Sequence, residues 1–281
     1  MPDLMVFSKH LTGPPLEESA RRLREVGVSA IDLTVRPKGH VAPERVADEL
    51  PAVSERLHQV GSRVGMLTTN ITDANDPTTR PILETAKKVG IKHIKLGYWD
   101  YAGFGTLRSQ RREVKTKIKD LAAMAGAIGV TFGFHNHSDA YFGASLWDIE
   151  HVIADAPPAA VGLYLDPAHA TIEGGSAGWE QGMDLLSDRI VMLAVKDFRW
   201  VEGKHRYAGG RRHSVEFCPL ADGNTPWPAV LKRLKQIKFD GPISFHSEYQ
   251  GGHSFADLTV DEVIAQTKRD VELFNQWWSE A

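Results

Sequence analysis

The sequence predicts an α/β protein folded as one (β/α)8 barrel. Short β-branched runs alternate with longer amphipathic runs along the chain, which implies a parallel sheet. Eight such strand–helix units follow one another, with no ninth. The polar residues fit for catalysis fall just after the apolar runs, at the strand ends where a barrel of this kind builds its active site.

Residues 4–7 read as the first strand, and residues 16–26 as a helix with apolar side chains at helical spacing, stopped by Gly27. Residues 28–33 form the second strand. The helix over 43–60 has Pro43 near its start and Gly61 just past its end. Strand three covers 64–68, and the helix over 78–89 closes at Gly90. Strand four covers 94–96, and the long helix over 107–128 ends at Gly129. The second half continues the scheme. Strands are expected at 130–134, 161–165, 190–195 and 242–245, with helices at 146–154, 179–186, 228–237 and 260–277. The rival arrangement, a doubly wound open sheet, normally has a glycine-rich phosphate turn after an early strand, and residues 8–13 offer none.

The 281 residues suit a single domain over 1–281, since a barrel of this type needs about 250. No linker rich in proline, glycine or serine divides the chain. The longest irregular stretch, residues 198–224, carries Arg199, Trp200, His205, Arg206, Arg211, Arg212 and His213 and is expected to form a flap over the barrel mouth. The net charge is −3 and no block of like charges stands out, so no nucleic-acid partner is expected. A lone cysteine, Cys218, excludes an intramolecular disulfide and a four-cysteine zinc site. There is no signal-peptide pattern and no apolar run of membrane-spanning length, so a cytoplasmic protein without a membrane partner is expected. Homo-oligomerisation is left open.

His135 and His137 lie two apart at the end of strand five, and period-two geometry turns both to one face, where they can reach one metal or one substrate. Asp166 and His169 share the turn after strand six, stiffened by Pro167. Alternatively, Asp166 only caps the following turn and His169 is incidental. Lys196-Asp197 ends strand seven, where the lysine can hold an oxyanion or serve a structural ion pair. After strand eight, His246 and Glu248 share one face, and an acidic group there can ligate a divalent metal or act as a base. Catalytic candidates are therefore His137, His169, Lys196 and Glu248; metal candidates are His135, Asp166, His246 and Glu248. Arg36, His40, Asn70, Trp99, Asn136, Asp197 and His213 are candidates for substrate binding, with Trp147, Trp200 and Trp227 as further aromatic faces.

The order His135-Asn136-His137, Asp166-x-x-His169, Lys196-Asp197, Glu248-Tyr249 resembles the xylose isomerase-like TIM-barrel superfamily, over essentially the whole chain. That group includes sugar-phosphate isomerases and epimerases, inosose dehydratases, ketose 3-epimerases and endonuclease IV. In its epimerase branch the resemblance implies one divalent metal, held by a carboxylate after strand five, an aspartate after strand six, a histidine in strand seven and a glutamate after strand eight. Asp166 and Glu248 match. His135 stands at the strand-five position and Ala194 at the strand-seven position, so this chain departs from the pattern at two of four ligands. His135, His137 or His246 then completes the shell, or the metal is weak or absent.

The function expected is isomerisation or epimerisation of a sugar or sugar-like keto compound through an enediolate, assisted by manganese, magnesium, cobalt or zinc. The alternative is a lyase or dehydratase acting on a keto-sugar or inosose, including cleavage of a keto-glycoside. An endonuclease IV-like enzyme and a non-catalytic sugar-binding barrel stand behind these.

Overall fold

The computed structural model describes residues 3–203 and 213–281. Its centre is a closed barrel of eight parallel strands. These are β1 (Leu4–Phe7), β2 (Ala30–Val35), β3 (Arg63–Thr69), β4 (His93–Lys95), β5 (Thr131–His135), β6 (Val161–Leu165), β7 (Ile190–Val195) and β8 (Ile243–Phe245). Eight helices surround it: α1 (Leu16–Leu23), α2 (Val46–Gln59), α3 (Thr79–Lys88), α4 (Leu107–Ile128), α5 (Leu146–Ile153), α6 (Pro167–Leu185), α7 (Trp227–Gln236) and α8 (Val260–Glu280). Among the described residues no helix is long and apolar enough to cross a membrane.

Each helix carries its own boundary signals. α4 ends at Gly129, whose φ of 86° lies in the left-handed region that costs a glycine nothing. α8 begins with a capping box between Thr259 and Glu262. α6 departs from expectation, because it starts at Pro167 rather than near residue 179. Asp166 caps it by accepting from the His169 backbone N–H, and Pro167 takes the first-turn position that needs no donor. Gly175 then breaks it with φ 61° and ψ −147°, which is why apolar spacing resumes only after that point.

The stretch after β7 is more ordered than its sequence suggests. Asp197–Glu202 pairs antiparallel with His213–Cys218, and a 3-10 turn at Leu220–Asp222 follows. The hairpin projects beyond the barrel, so its alternation is only partly apolar and it reads as loop. His205, Arg206, Arg211 and Arg212 lie outside the described residues.

Two apolar clusters result from strand alternation. The large one fills the space between strands and helices; Phe132, Phe134, Leu163, Leu193, Ile243 and Phe245 point into it. The small one plugs the barrel interior with Met5, Ala30, Met66, Tyr164, Met192 and Ala194. Above this plug Asp32 accepts from Thr68 Oγ1 and Ser244 Oγ, both at 2.8 Å. At the opposite end, buried Arg189 directs one guanidinium nitrogen at the carbonyls of Ile153, Ala156 and Val161, at 2.8, 2.9 and 3.0 Å. Arg189→Leu leaves three buried acceptors unserved. It is expected to lower unfolding stability by about 3 kcal/mol in urea denaturation.

Candidate active site

The inward column of each strand continues past the strand end, and that continuation builds the site. Gly133 leads to His135, Tyr164 to Asp166, Ala194 to Lys196 and Ser244 to His246. Each pair is two residues apart and on the face that holds the internal plug. The four side chains therefore converge on one mouth.

Asp166 is at the centre, fully buried. Its Oδ2 lies 3.4 Å from His135 Nε2, 3.7 Å from His169 Nε2 and 3.4 Å from Lys196 Nζ. Asn136 holds the Asp166 backbone from both sides, accepting from its N–H at 2.8 Å and donating to its carbonyl at 2.9 Å. Lys196 Nζ donates to His169 Nε2 at 2.7 Å and lies 3.5 Å from Glu248 Oε2. With Nε2 accepting, His169 carries its proton on Nδ1, which meets Ser138 Oγ at 2.8 Å. Phe217, from the hairpin, lies over the ammonium with its ring centre 4.6 Å away. Lys9 approaches Glu248 to 4.0 Å.

Electrostatics follow from burial. His135 and His169 are pushed well below the usual histidine range by loss of water, and neighbouring cations push them further. His137 is lowered to about 4, first by burial and then by Lys196. Its Nδ1 faces the Ser138 carbonyl at 2.8 Å, which can only accept, so Nδ1 carries the proton and Nε2 has a free lone pair. Burial raises Glu248, but Lys196 and Lys9 outweigh it and hold the carboxylate below its ordinary range.

A metal ion fits these residues. His135, Asp166 and His246 each offer a ligand atom, the three lie within 4.8 Å of one another, and all are buried. His135 Nε2 and Asp166 Oδ2 are buried with no hydrogen-bond partner, as vacant donors should be. Two tyrosines stand behind the histidines: Tyr98 OH lies 2.7 Å from His135 Nδ1, and Tyr164 OH 2.8 Å from His246 Nε2. Glu248 is not in this group; its carboxylate faces the two lysines.

Against the sequence expectations, the structure gathers His135, His137, Asp166, His169, Lys196, His246 and Glu248 at one mouth. It spends several other candidates elsewhere. Asn136 faces away from the mouth and positions Asp166. Asp197, one residue past Lys196, takes the opposite face, where its Oδ1 accepts from the N–H groups of Phe198 and Thr225. Trp99 stacks on Phe134 at 5.2 Å in the outer core. His40 closes its own loop through Thr34 Oγ1 at 3.0 Å. Asn70 is exposed beyond β3, and His213 is exposed at the far end of the hairpin, opposite Glu202. Trp147 and Trp200 are exposed, whereas Trp227 is fully buried. Arg36 stands over the Phe7 ring, which itself lies 4.6 Å from His246. Sequence reasoning passed over Lys95, Tyr164 and Ser138. The available signal was a lysine inside the apolar run at 94–96, and the two-residue column leading from Tyr164 to Asp166.

The sequence model of the xylose isomerase-like TIM barrel matches residues 20–276. The chain belongs to that family. Solved structures agree on the fold of this xylose isomerase-like barrel. The 3-keto-D-glucoside 4-epimerase YcjR from E. coli is 14% identical, with 98% of this chain and 100% of that chain covered and a TM-score of 0.68. The probable 3-DHS dehydratase AsbF from Bacillus anthracis is 14% identical over 98% and 99%, with a TM-score of 0.71. A xylose isomerase-like TIM barrel protein from Mycobacterium smegmatis, in complex with magnesium, is 13% identical over 96% and 92%, with a TM-score of 0.66. No curated protein matches the chain.

Asp197 gives the subsection its test. Burial raises its carboxyl from 3.8 to about 7, against the opposing hydrogen bonds from Thr225 and Phe198. The folded state then holds the proton more tightly than the unfolded chain, so this contribution to stability is fully present below about pH 4 and is lost as the pH rises to about 7. Asp197→Asn keeps an acceptor for both N–H groups and cannot ionise. Relative to it, the unmodified protein is expected to lose up to about 4 kcal/mol of unfolding stability across that window, measured by denaturation at a series of pH values.

Proposed function

We propose that the protein is a metal-assisted isomerase or epimerase of a sugar or keto-sugar, moving a proton on the carbon next to a carbonyl. The carrying observation is the juxtaposition of the buried His135–Asp166–His246 triad with the Lys196 ammonium, which share Asp166 Oδ2. The epimerase and dehydratase among the structural neighbours support chemistry of this class.

His135, Asp166 and His246 would hold a divalent ion, and two imidazoles with one carboxylate suit manganese, cobalt or zinc better than magnesium. Such an ion supplies Lewis-acid polarisation of the substrate carbonyl. His137 takes the proton from carbon through Nε2, which is bare because Nδ1–H is committed to the Ser138 carbonyl. A ring lowered to about 4 is neutral at physiological pH and is also a weak base, so the carbon acid must be strengthened by the groups facing it. Lys196 meets that need by holding the enediolate oxygen. Glu248 offsets part of the ammonium's charge, and His169 fixes its direction. Return of the proton to the neighbouring carbon, with the hydroxyl proton passing to the former carbonyl oxygen, isomerises the substrate; return to the opposite face of the same carbon epimerises it.

One observation favours elimination as the second reading. Both carboxylates beside the reacting position face Lys196, and His137 supplies a single free base. Epimerisation needs a second group on the opposite face, whereas loss of a leaving group needs one base and one acid.

A panel of ketoses and 3-keto-glucosides incubated in D2O separates the readings by mass spectrometry. Isomerisation or epimerisation predicts a product of unchanged formula carrying one deuterium. Loss of water or of an aglycone assigns elimination, and neither exchange nor mass loss with any member overturns both. His137→Asn is expected to slow exchange by about 100-fold or more.

A further inference from the structure

Among the described residues, two cations on the β2–β4 side of the mouth have no counter-ion within 4 Å. Lys95, the last residue of β4, points into the barrel and is 2% exposed. Its ammonium lies 3.4 Å from the centre of the Tyr98 ring. Among the described residues no carboxylate comes within 4 Å of it and no side chain or carbonyl accepts its protons. Arg36 follows β2 on a loop closed by hydrogen bonds from Arg36 N–H to the Val41 carbonyl and from Val41 N–H to the Thr34 carbonyl. Its guanidinium lies over Phe7, 5.6 Å from the ring centre, and makes no ion pair among the described residues.

The surrounding charges are already committed. Lys196 takes Asp166 and Glu248, Lys9 takes Glu248, and both oxygens of Asp32 are occupied by Thr68 and Ser244. Taking the Lys95 ammonium out of water without a partner is unfavourable, and a second cation nearby adds repulsion. Burial and then Arg36 depress the Lys95 ammonium, and Asp32 opposes them only in part. The ring contacts of Tyr98 and Phe7 offset this only in part, and a ligand that brings negative charge would supply the rest.

We propose that Arg36 and Lys95 form an anion-recognition site, and that the substrate carries a carboxylate or phosphoryl group bound there. A guanidinium fork beside an ammonium is a donor set suited to either group. The placement joins this site to the reacting centre. Tyr98 covers Lys95 and reaches His135 through its hydroxyl, and Phe7 lies between Arg36 and His246. Each cation therefore shares an aromatic neighbour with a histidine of the triad, Lys95 through Tyr98 and Arg36 through Phe7. This names the substrate class within the sugar-type chemistry proposed above and rests on that reading for the word sugar; the binding itself does not depend on turnover.

Calorimetric titration of the purified protein with inorganic phosphate, sodium glucuronate and glucose tests it. Glucuronate or phosphate should bind and glucose should not, and whichever binds assigns the carboxylate or the phosphoryl group. Arg36→Leu and Lys95→Met should each weaken that binding by about tenfold or more. Lys95→Arg should retain most of it, which separates loss of charge from misfolding, and circular dichroism checks each variant. Absence of binding by both anions, equal binding of glucose, or insensitivity to both charge-removing variants overturns the proposal. Failure of the isomerase reading would instead appear as anion binding without deuterium exchange.

Discussion

One ammonium organises the mouth of this barrel. Lys196 Nζ lies between Asp166, Glu248 and His169, at 3.4, 3.5 and 2.7 Å. Without it two largely buried carboxylates would stand close together, and removing one member of a buried ion pair typically costs about 3–5 kcal/mol. The same charge acts on the neighbourhood: it holds the Glu248 carboxyl below its ordinary range and adds to the burial that lowers His137 and His169. It also limits any ion at the triad. Such an ion and Lys196 would both draw on Asp166, and Glu248, paired with Lys196, would offset part of the repulsion between the two positive centres.

The barrel was legible because its elements obey simple periodicities. The limits of β1, β6, β7 and α4 agree with the spacing of apolar residues, and Gly27, Gly61, Gly90 and Gly129 all take positive φ where helices were expected to stop. The errors have local causes. A proline start and a glycine break hid the first half of α6, and a hairpin outside the core lacks the apolar contrast that marks a strand.

The site was legible in part for the same reason. His135, Asp166, Lys196 and His246 sit on the inward parity of their strands, so a two-residue step from the internal plug finds each of them. Asn136 and Asp197 have the other parity. They looked like substrate ligands only because they adjoin the right residues, and in the fold they bind backbone. Lys95 went unnoticed because a single lysine within a three-residue run does not reveal which face it takes; only barrel closure shows it buried beneath Tyr98.

Departure from the family's ligand pattern acquires a physical shape in the folded chain. Ala194 belongs to the apolar plug and supplies no donor, while His246 stands beside His135 and Asp166 to complete a group of three. The central claim is that this group binds one divalent ion. Titration of the metal-free protein with Co2+, followed by visible absorption, tests it most directly. The account predicts saturation at one ion per chain, with the absorption bands lost in His246→Ala and unchanged in stoichiometry in Glu248→Gln. Bands that persist in His246→Ala, or no bands in the unmodified protein, would contradict it.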